Sequence, residues 1–313
     1  MENSNRRRIF FMKRLLMSCT LCPRKCKINR LAGQSGVCGQ TATVKVARAA
    51  LHFWEEPCIS GENGSGAVFF SGCALHCVFC QNSEIANGTV GKEITIERLA
   101  EIFLELQEKG ANNVNLVTPG QFVPQIIEAL DIAKANGFLI PVVYNTSSYE
   151  SLDTIKSLEG YVDIYLPDFK YMNEDVAAKY SHAKDYPKVA KEVIAEMVRQ
   201  RGKAVFEDNN EDGLMKSGVI VRHLSLPDQM EDSKRILEYL HGTYGDDIYI
   251  SIMNQYTPLV HVKDYPELNR KITEEEYEEL VNYAIDIGIE NGFIQEGDTA
   301  SESFIPDFDY EGV

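Results

Sequence analysis

From residue 67 onward the chain alternates strand-like apolar runs with helical periodicities, and this pattern constrains the fold more than any other feature. "AVFFSG" (67–72) reads as a strand. The helix "TIERLAEIFLELQEKG" follows, with Leu99, Ile102, Phe103 and Leu106 on one face and Gly110 at its end. "NVNLVTP", "LIPVVYN", "YVDIYLPDF", "VIVRHLSLP" and "DIYISIMNQY" repeat the strand signal. Helical segments lie between them, and "TEEEYEELVNYAIDIG" closes the series with a capping box at Thr273 and Glu276. "FEDNNEDGLMKSG" (206–218) carries a turn signal at Asp212 and Gly213 and predicts an inserted hairpin. Six strand–helix units imply a parallel sheet with right-handed crossovers. Six falls short of the eight that close a full barrel. The expected fold is therefore α/β: a partial (βα)6 TIM-like barrel, open enough to take a bulky ligand across its strand ends.

The cysteines divide the chain differently. All eight fall at or before Cys80. That clustering, with no continuous apolar h-region in "MENSNRRRIFFMKRLLMSC", argues for metal ligation in a reducing compartment over a disulfide framework. The expectation is a cytoplasmic protein in two parts: a Cys-rich N-terminal unit (1–66) and a barrel (67–313). No apolar run reaches the length of a membrane span. A net charge of −16 disfavours binding to nucleic acid, which needs clustered Lys and Arg.

Cys73, Cys77 and Cys80 are spaced C-x3-C-x2-C on the loop that leaves the first barrel strand. A four-iron cluster takes four ligands. With three from the protein, one iron stays free to chelate a small molecule and pass it an electron. A zinc site completed by His76 is the competing reading of the same spacing. Cys19, Cys22, Cys26 and Cys38 form C-x2-C-x3-C-x11-C, which reads as a second metal site, zinc or an auxiliary iron–sulfur cluster. Cys58 has no partner in spacing and reads as a small buried residue.

The three-cysteine motif, with Phe79 just before its last Cys, resembles the signature of radical S-adenosylmethionine (SAM) enzymes. Further segments carry a closer resemblance, over nearly the whole chain, to proteins like the pyruvate formate-lyase activating enzyme. They include "CTLCPRKCKINR", "ARAALHFWEEPCISG", "YLPDFKY", "VIVRHLSLP", "NQYTPL" and "FIQEGDTASESFIPDFD". The resemblance implies a [4Fe-4S] cluster whose free iron binds SAM. Reductive cleavage would then give methionine and a 5′-deoxyadenosyl radical that abstracts hydrogen from substrate. It also implies an electron donor such as flavodoxin or ferredoxin.

By the same logic, cofactor contacts sit at successive strand ends. Thr118 ends the second strand, where activating enzymes carry Gly-Gly-Glu for the SAM amino group; this chain departs from that pattern. Asn145 and Thr146 end the third strand, as candidates for the ribose, and Ser148 reads as the cap of the helix beyond. Asp168 and Lys170, two apart on one face, match an Asp-x-Lys pair beside SAM. Arg222 offers a fork for carboxylates; its neighbour His223 reads equally as a core histidine. Asn254 and Gln255 are candidates for the adenine edge. "EGDTASES" is a candidate closure of the barrel's open side. Three functions compete: a radical SAM enzyme acting on a partner protein, as a glycyl-radical activase does; a radical SAM enzyme acting on a small molecule; and a non-catalytic iron–sulfur or metal-binding protein.

Overall fold

The structure is a computed structural model that describes residues 14–210, 213–295 and 306–313. Asp212, the EGDTASES segment and residues 1–13 of the N-terminal arm lie outside the described residues.

One sheet organises the molecule. Its parallel strands are β2 (Ser65–Phe70), β4 (Val114–Val117), β5 (Val142–Thr146), β6 (Ile164–Pro167), β8 (Met215–Leu224), β9 (Tyr249–Met253) and β10 (Gly292–Ile294), neighbours in that order. β2, β4, β5, β6, β8 and β9 are buried along most of their length, which is why they read as apolar runs without alternation. The sheet does not close: its path ends at β10 on one side and at β1 (Val44–His52) and β3 (Lys92–Ile94) on the other. The fold is thus an open, partial barrel. It has one parallel strand more than the six expected. β10 is three residues long, too short for any periodic signal.

The longer connecting helices are α1 (Ile96–Glu108), α2 (Val123–Ala135), α3 (Leu152–Ser157), α4 (Glu174–Ser181), α5 (Tyr186–Arg201), α6 (Met230–Tyr244) and α7 (Glu274–Asp286). Leu99, Ile102, Phe103 and Leu106 of α1 are buried with β2 and β4 in the main core. α7 carries the capping box: Thr273 Oγ1 accepts from Glu276 N–H at 3.1 Å and Glu276 accepts from Thr273 N–H at 2.9 Å. α3 is capped by Ser151, not by Ser148. Ser148 has φ 63, in the left-handed region, whereas an N-cap residue is extended, as Ser151 is at φ −79 and ψ 144. β7 (Val205–Phe206) pairs antiparallel with β8 through Val205 and Ser217, which makes the hairpin expected there.

The N-terminal region joins the same sheet. β1 runs antiparallel to β2 from Val46 opposite Phe70 to His52 opposite Ser65. Residue 66, the expected division, falls inside β2. On β1's outer side, Ala49 N–H donates to Glu311 C=O (2.8 Å) and Tyr310 N–H to Ala47 C=O (3.1 Å). Among the described residues no helix is long and apolar enough to cross a membrane.

Candidate active site

A cavity of about 320 Å³ opens at the C-terminal ends of the parallel strands, the end that carries the active site in barrels of this kind. Cys73, Cys77, Cys80, Phe79, Thr118, Asn145, Asp168, Lys170, Arg222 and Gln255 all line it. Two of the cofactor candidates do not. Thr146 follows Asn145 on β5, and adjacent strand residues face opposite sides. Its hydroxyl donates to Glu150 at 2.8 Å, on the wall of a second, smaller cavity. Asn254 and Gln255 lie just beyond the end of β9, and of the two only Gln255 lines the main cavity.

The cysteine loop leaves β2 through Ser71 and Gly72. Gly72 has φ 87, and a Cβ there would sit 2.4 Å from Cys38 C=O, so only glycine fits this close approach. Gln121 pins the loop to the end of β4: its amide donates to Ser71 C=O (2.8 Å), Gly72 C=O (3.0 Å) and Thr118 C=O (2.8 Å). The Thr118 carbonyl is therefore already engaged. Thr118 itself has φ 54, a left-handed backbone that a β-branched residue rarely adopts. Arg24 ties the loop to the end of α4, donating to Ala74 C=O at 2.9 Å and to His182 C=O at 2.6 Å. Phe79 is buried edge-on to Tyr171 and Tyr256.

The three thiols are free of disulfides. Burial pushes Cys77 up to about 11 and Cys80 further, with their sulfur neighbours adding to the rise at Cys80; Lys170 opposes it at both. Thiolates in such a place need positive charge beside them, and an iron–sulfur core provides it. Among the described residues no three His, Cys, Asp or Glu side chains are gathered to hold a single metal ion. His76 is not among the residues that line this cavity; its Nε2 lies 2.8 Å from Val37 C=O. The donor set fits a multi-iron core with cysteine ligands.

Two charged groups line the same cavity as these sulfurs. Lys170 Nζ donates to Asp168 Oδ2 at 2.6 Å. Burial disfavours the ammonium, but the Asp168 charge outweighs it and Lys170 stays protonated. Tyr186 of α5 fixes the pair: its hydroxyl donates to Asp168 C=O (2.9 Å) and accepts from Lys170 N–H (3.0 Å). The other group is Arg222, named from the sequence, but its acidic partners were not legible there. Arg222 is bound by Glu55 and Glu56, with Nε donating to Glu56 Oε1 at 2.8 Å and Nη2 to Glu56 Oε2 at 2.5 Å and to Glu55. Burial works against the Glu56 carboxylate, yet Arg222 holds it below the usual range. Much of the guanidinium fork is therefore taken by the protein's own acids. The adjacent acids of "WEEP" were the signal in the sequence; that they fold back onto β8 was not. His223 lies off the cavity, buried, with its ring nitrogens 2.8 Å from Phe169 C=O and from Ser233 Oγ.

Cys19, Cys22 and Cys38 line the smaller cavity with Arg30, Thr146 and Glu150, and Cys73 borders it too. Cys26 packs against Gly36 and accepts Val37 N–H at 3.5 Å. Burial pushes Cys22 up to about 12.

Comparison with known proteins places this geometry. Residues 67–208 match the model of the Radical SAM superfamily. An uncharacterized protein of Methanocaldococcus jannaschii is 28% identical over 280 residues, 87% of this chain and 75% of that protein. The pyruvate formate-lyase-activating enzyme of Clostridium pasteurianum is 27% identical over 123 residues, 37% of this chain and 50% of that enzyme. In fold, the chain is similar to Streptococcus suis SuiB bound to S-adenosylmethionine, with a TM-score of 0.50 and 13% identity, over 74% of this chain and 52% of that one.

Proposed function

The chain is a member of the radical SAM superfamily, similar to pyruvate formate-lyase activating enzymes, and from that premise we propose that it abstracts hydrogen from a partner protein, in the manner of a glycyl-radical activase. When bound, a [4Fe-4S] cluster and SAM supply reductive cleavage of SAM and a 5′-deoxyadenosyl radical. The observation that carries the reading is the convergence of Cys73, Cys77 and Cys80 with the Asp168–Lys170 pair on one cavity of an open barrel.

The chain's own residues take separate parts. Cys73, Cys77 and Cys80 hold the cluster. Lys170, protonated and braced by Asp168, binds the carboxylate of SAM. Thr118, Asn145 and Gln255 offer polar atoms for its amino, ribose and adenine groups, and Phe79 forms an apolar wall. Arg222, held by Glu55 and Glu56, lines the same cavity. A low-potential donor such as flavodoxin or ferredoxin supplies the electron. Cys19, Cys22, Cys26 and Cys38 would hold an auxiliary cluster; the zinc alternative needs ligands gathered on one ion, which the described residues do not show.

The test is anaerobic incubation of the reconstituted protein with SAM, reductant and cell extract carrying deuterated protein. Deuterium in 5′-deoxyadenosine, with a glycyl radical signal on a protein partner, supports the proposal. In a parallel arm with deuterated small molecules and unlabelled protein, deuterium recovered only there refutes the protein substrate.

A further inference from the structure

Ser181 is the last residue of α4 and fully buried, and its hydroxyl lies 2.9 Å from the Cys77 sulfur. Behind it, the buried Tyr171 hydroxyl lies 2.7 Å from Ser181 Oγ. The chemistry sets the direction of both bonds. A sulfur that ligates iron carries no proton, so the Ser181 proton must point to it. The Ser181 oxygen is then an acceptor toward Tyr171, which donates. The result is a one-way chain from Tyr171 through Ser181 to Cys77. Cys73 instead receives a backbone N–H, from Leu75 at 3.4 Å.

The geometry is held from several sides. Arg24 donates to Ser181 C=O at 3.3 Å and His182 C=O at 2.6 Å while holding Ala74 of the cysteine loop. Val78 N–H, next to Cys77, donates to Tyr180 C=O at 2.9 Å. The helix end and the cysteine loop are thus fastened together, with the Ser181 hydroxyl between them.

We propose that Ser181, backed by Tyr171, is a positioning residue that sets the reduction potential of the cluster through its bond to Cys77. The inference rests on the reading of Cys77 as a cluster ligand. Reduction adds negative charge that spreads onto the ligand sulfurs. A donor aimed at one of them stabilises the reduced state more than the oxidised state. Tyr171 polarises that donor and strengthens the effect. The potential would therefore be raised at Cys77 by a hydroxyl that touches neither SAM nor substrate.

The experiment is a redox titration of the anaerobically reconstituted full chain, followed by low-temperature EPR of the reduced cluster, with iron and sulfide measured for each variant. In Ser181→Ala the reduced-to-oxidised ratio at a fixed potential should fall about tenfold, which is about 59 mV for one electron. Tyr171→Phe, which keeps the serine donor, should shift it in the same direction by less. Ser181→Thr, which keeps a hydroxyl, should restore the wild-type ratio to within about twofold. Coincident titration curves for wild type and Ser181→Ala, at equal iron content, overturn the inference alone. A Cys77→Ala protein that keeps the wild-type iron content and signal overturns the ligand reading instead, and the inference with it.

Discussion

Replacing Arg222 with Met should destabilise the protein through the acids it leaves behind. The Arg222 side chain is 11% exposed, Glu55 8% and Glu56 5%, so all three are largely out of water. Arg222→Met removes the cation and keeps much of its bulk. Glu55 retains the Asn115 amide at 2.7 Å, but neither carboxylate keeps a counter-charge within this network. Breaking a buried ion pair from one side costs about 3–5 kcal/mol. At about 2 °C per kcal/mol for a chain of this size, Tm should fall by about 6–10 °C at pH 7. The loss should shrink with acid. In the wild type Glu56 is depressed, so its contribution is present above the ordinary glutamate range and lost as pH falls through its lowered folded value. In the variant Glu56 loses the charge that opposed its burial and protonates earlier, which relieves the penalty. Thermal melts of the metal-free protein from pH 7 to pH 5 should therefore converge. Adding Glu55→Gln and Glu56→Gln to Arg222→Met should recover most of the loss. A single variant that melts within about 1 °C of wild type at pH 7 would show that water reaches these charges, and the argument would fail.

Lys170→Ala should weaken SAM binding about ten- to a hundredfold, the worth of a charge-assisted bond of about 1.5–3 kcal/mol, with the cluster spectrum unchanged; calorimetric titration of SAM measures it. Tyr186→Phe strips partners from Asp168 C=O and Lys170 N–H and should cost about 1–3 kcal/mol in denaturant unfolding, with weaker SAM binding alongside. Burial raises the Glu150 carboxyl to about 7, against the bonds from Thr146 and Tyr144. Its folded value exceeds its unfolded one, so the native state binds the extra proton between them, and stability should fall as pH rises from about 4.5 to about 7. Glu150→Gln should flatten that slope in urea unfolding; an unchanged slope would assign the proton elsewhere.

The strands and helices of the barrel were legible because each buried strand is an apolar run of four or more residues and the helices carry a regular apolar face. β10 escaped because three residues hold no period. The edge pairing of β1 with β2 was hidden because an antiparallel hairpin beside a parallel sheet leaves no mark in the alternation of elements. In the site, the cysteine spacing and the i, i+2 placement of Asp168 and Lys170 are local, and local patterns can be read from sequence. Asn145 and Thr146 were named as a pair although neighbours on one strand face opposite ways, and only Asn145 lines the cavity; Asn254 and Gln255 follow the end of β9, and only Gln255 lines it. Gln121, Tyr186, Ser181 and the Glu55–Glu56 pair act on partners far away along the chain, and only the folded arrangement brings them to the strand ends.

The most direct measurement is SAM cleavage by the anaerobically reconstituted protein with dithionite, wild type against Cys77→Ala, quantifying methionine and 5′-deoxyadenosine. The wild type should form both in equal amounts and the variant neither. Equal product from both proteins, or none from a wild type that carries its full iron, would contradict the assignment of Cys73, Cys77 and Cys80 as the centre of the chemistry.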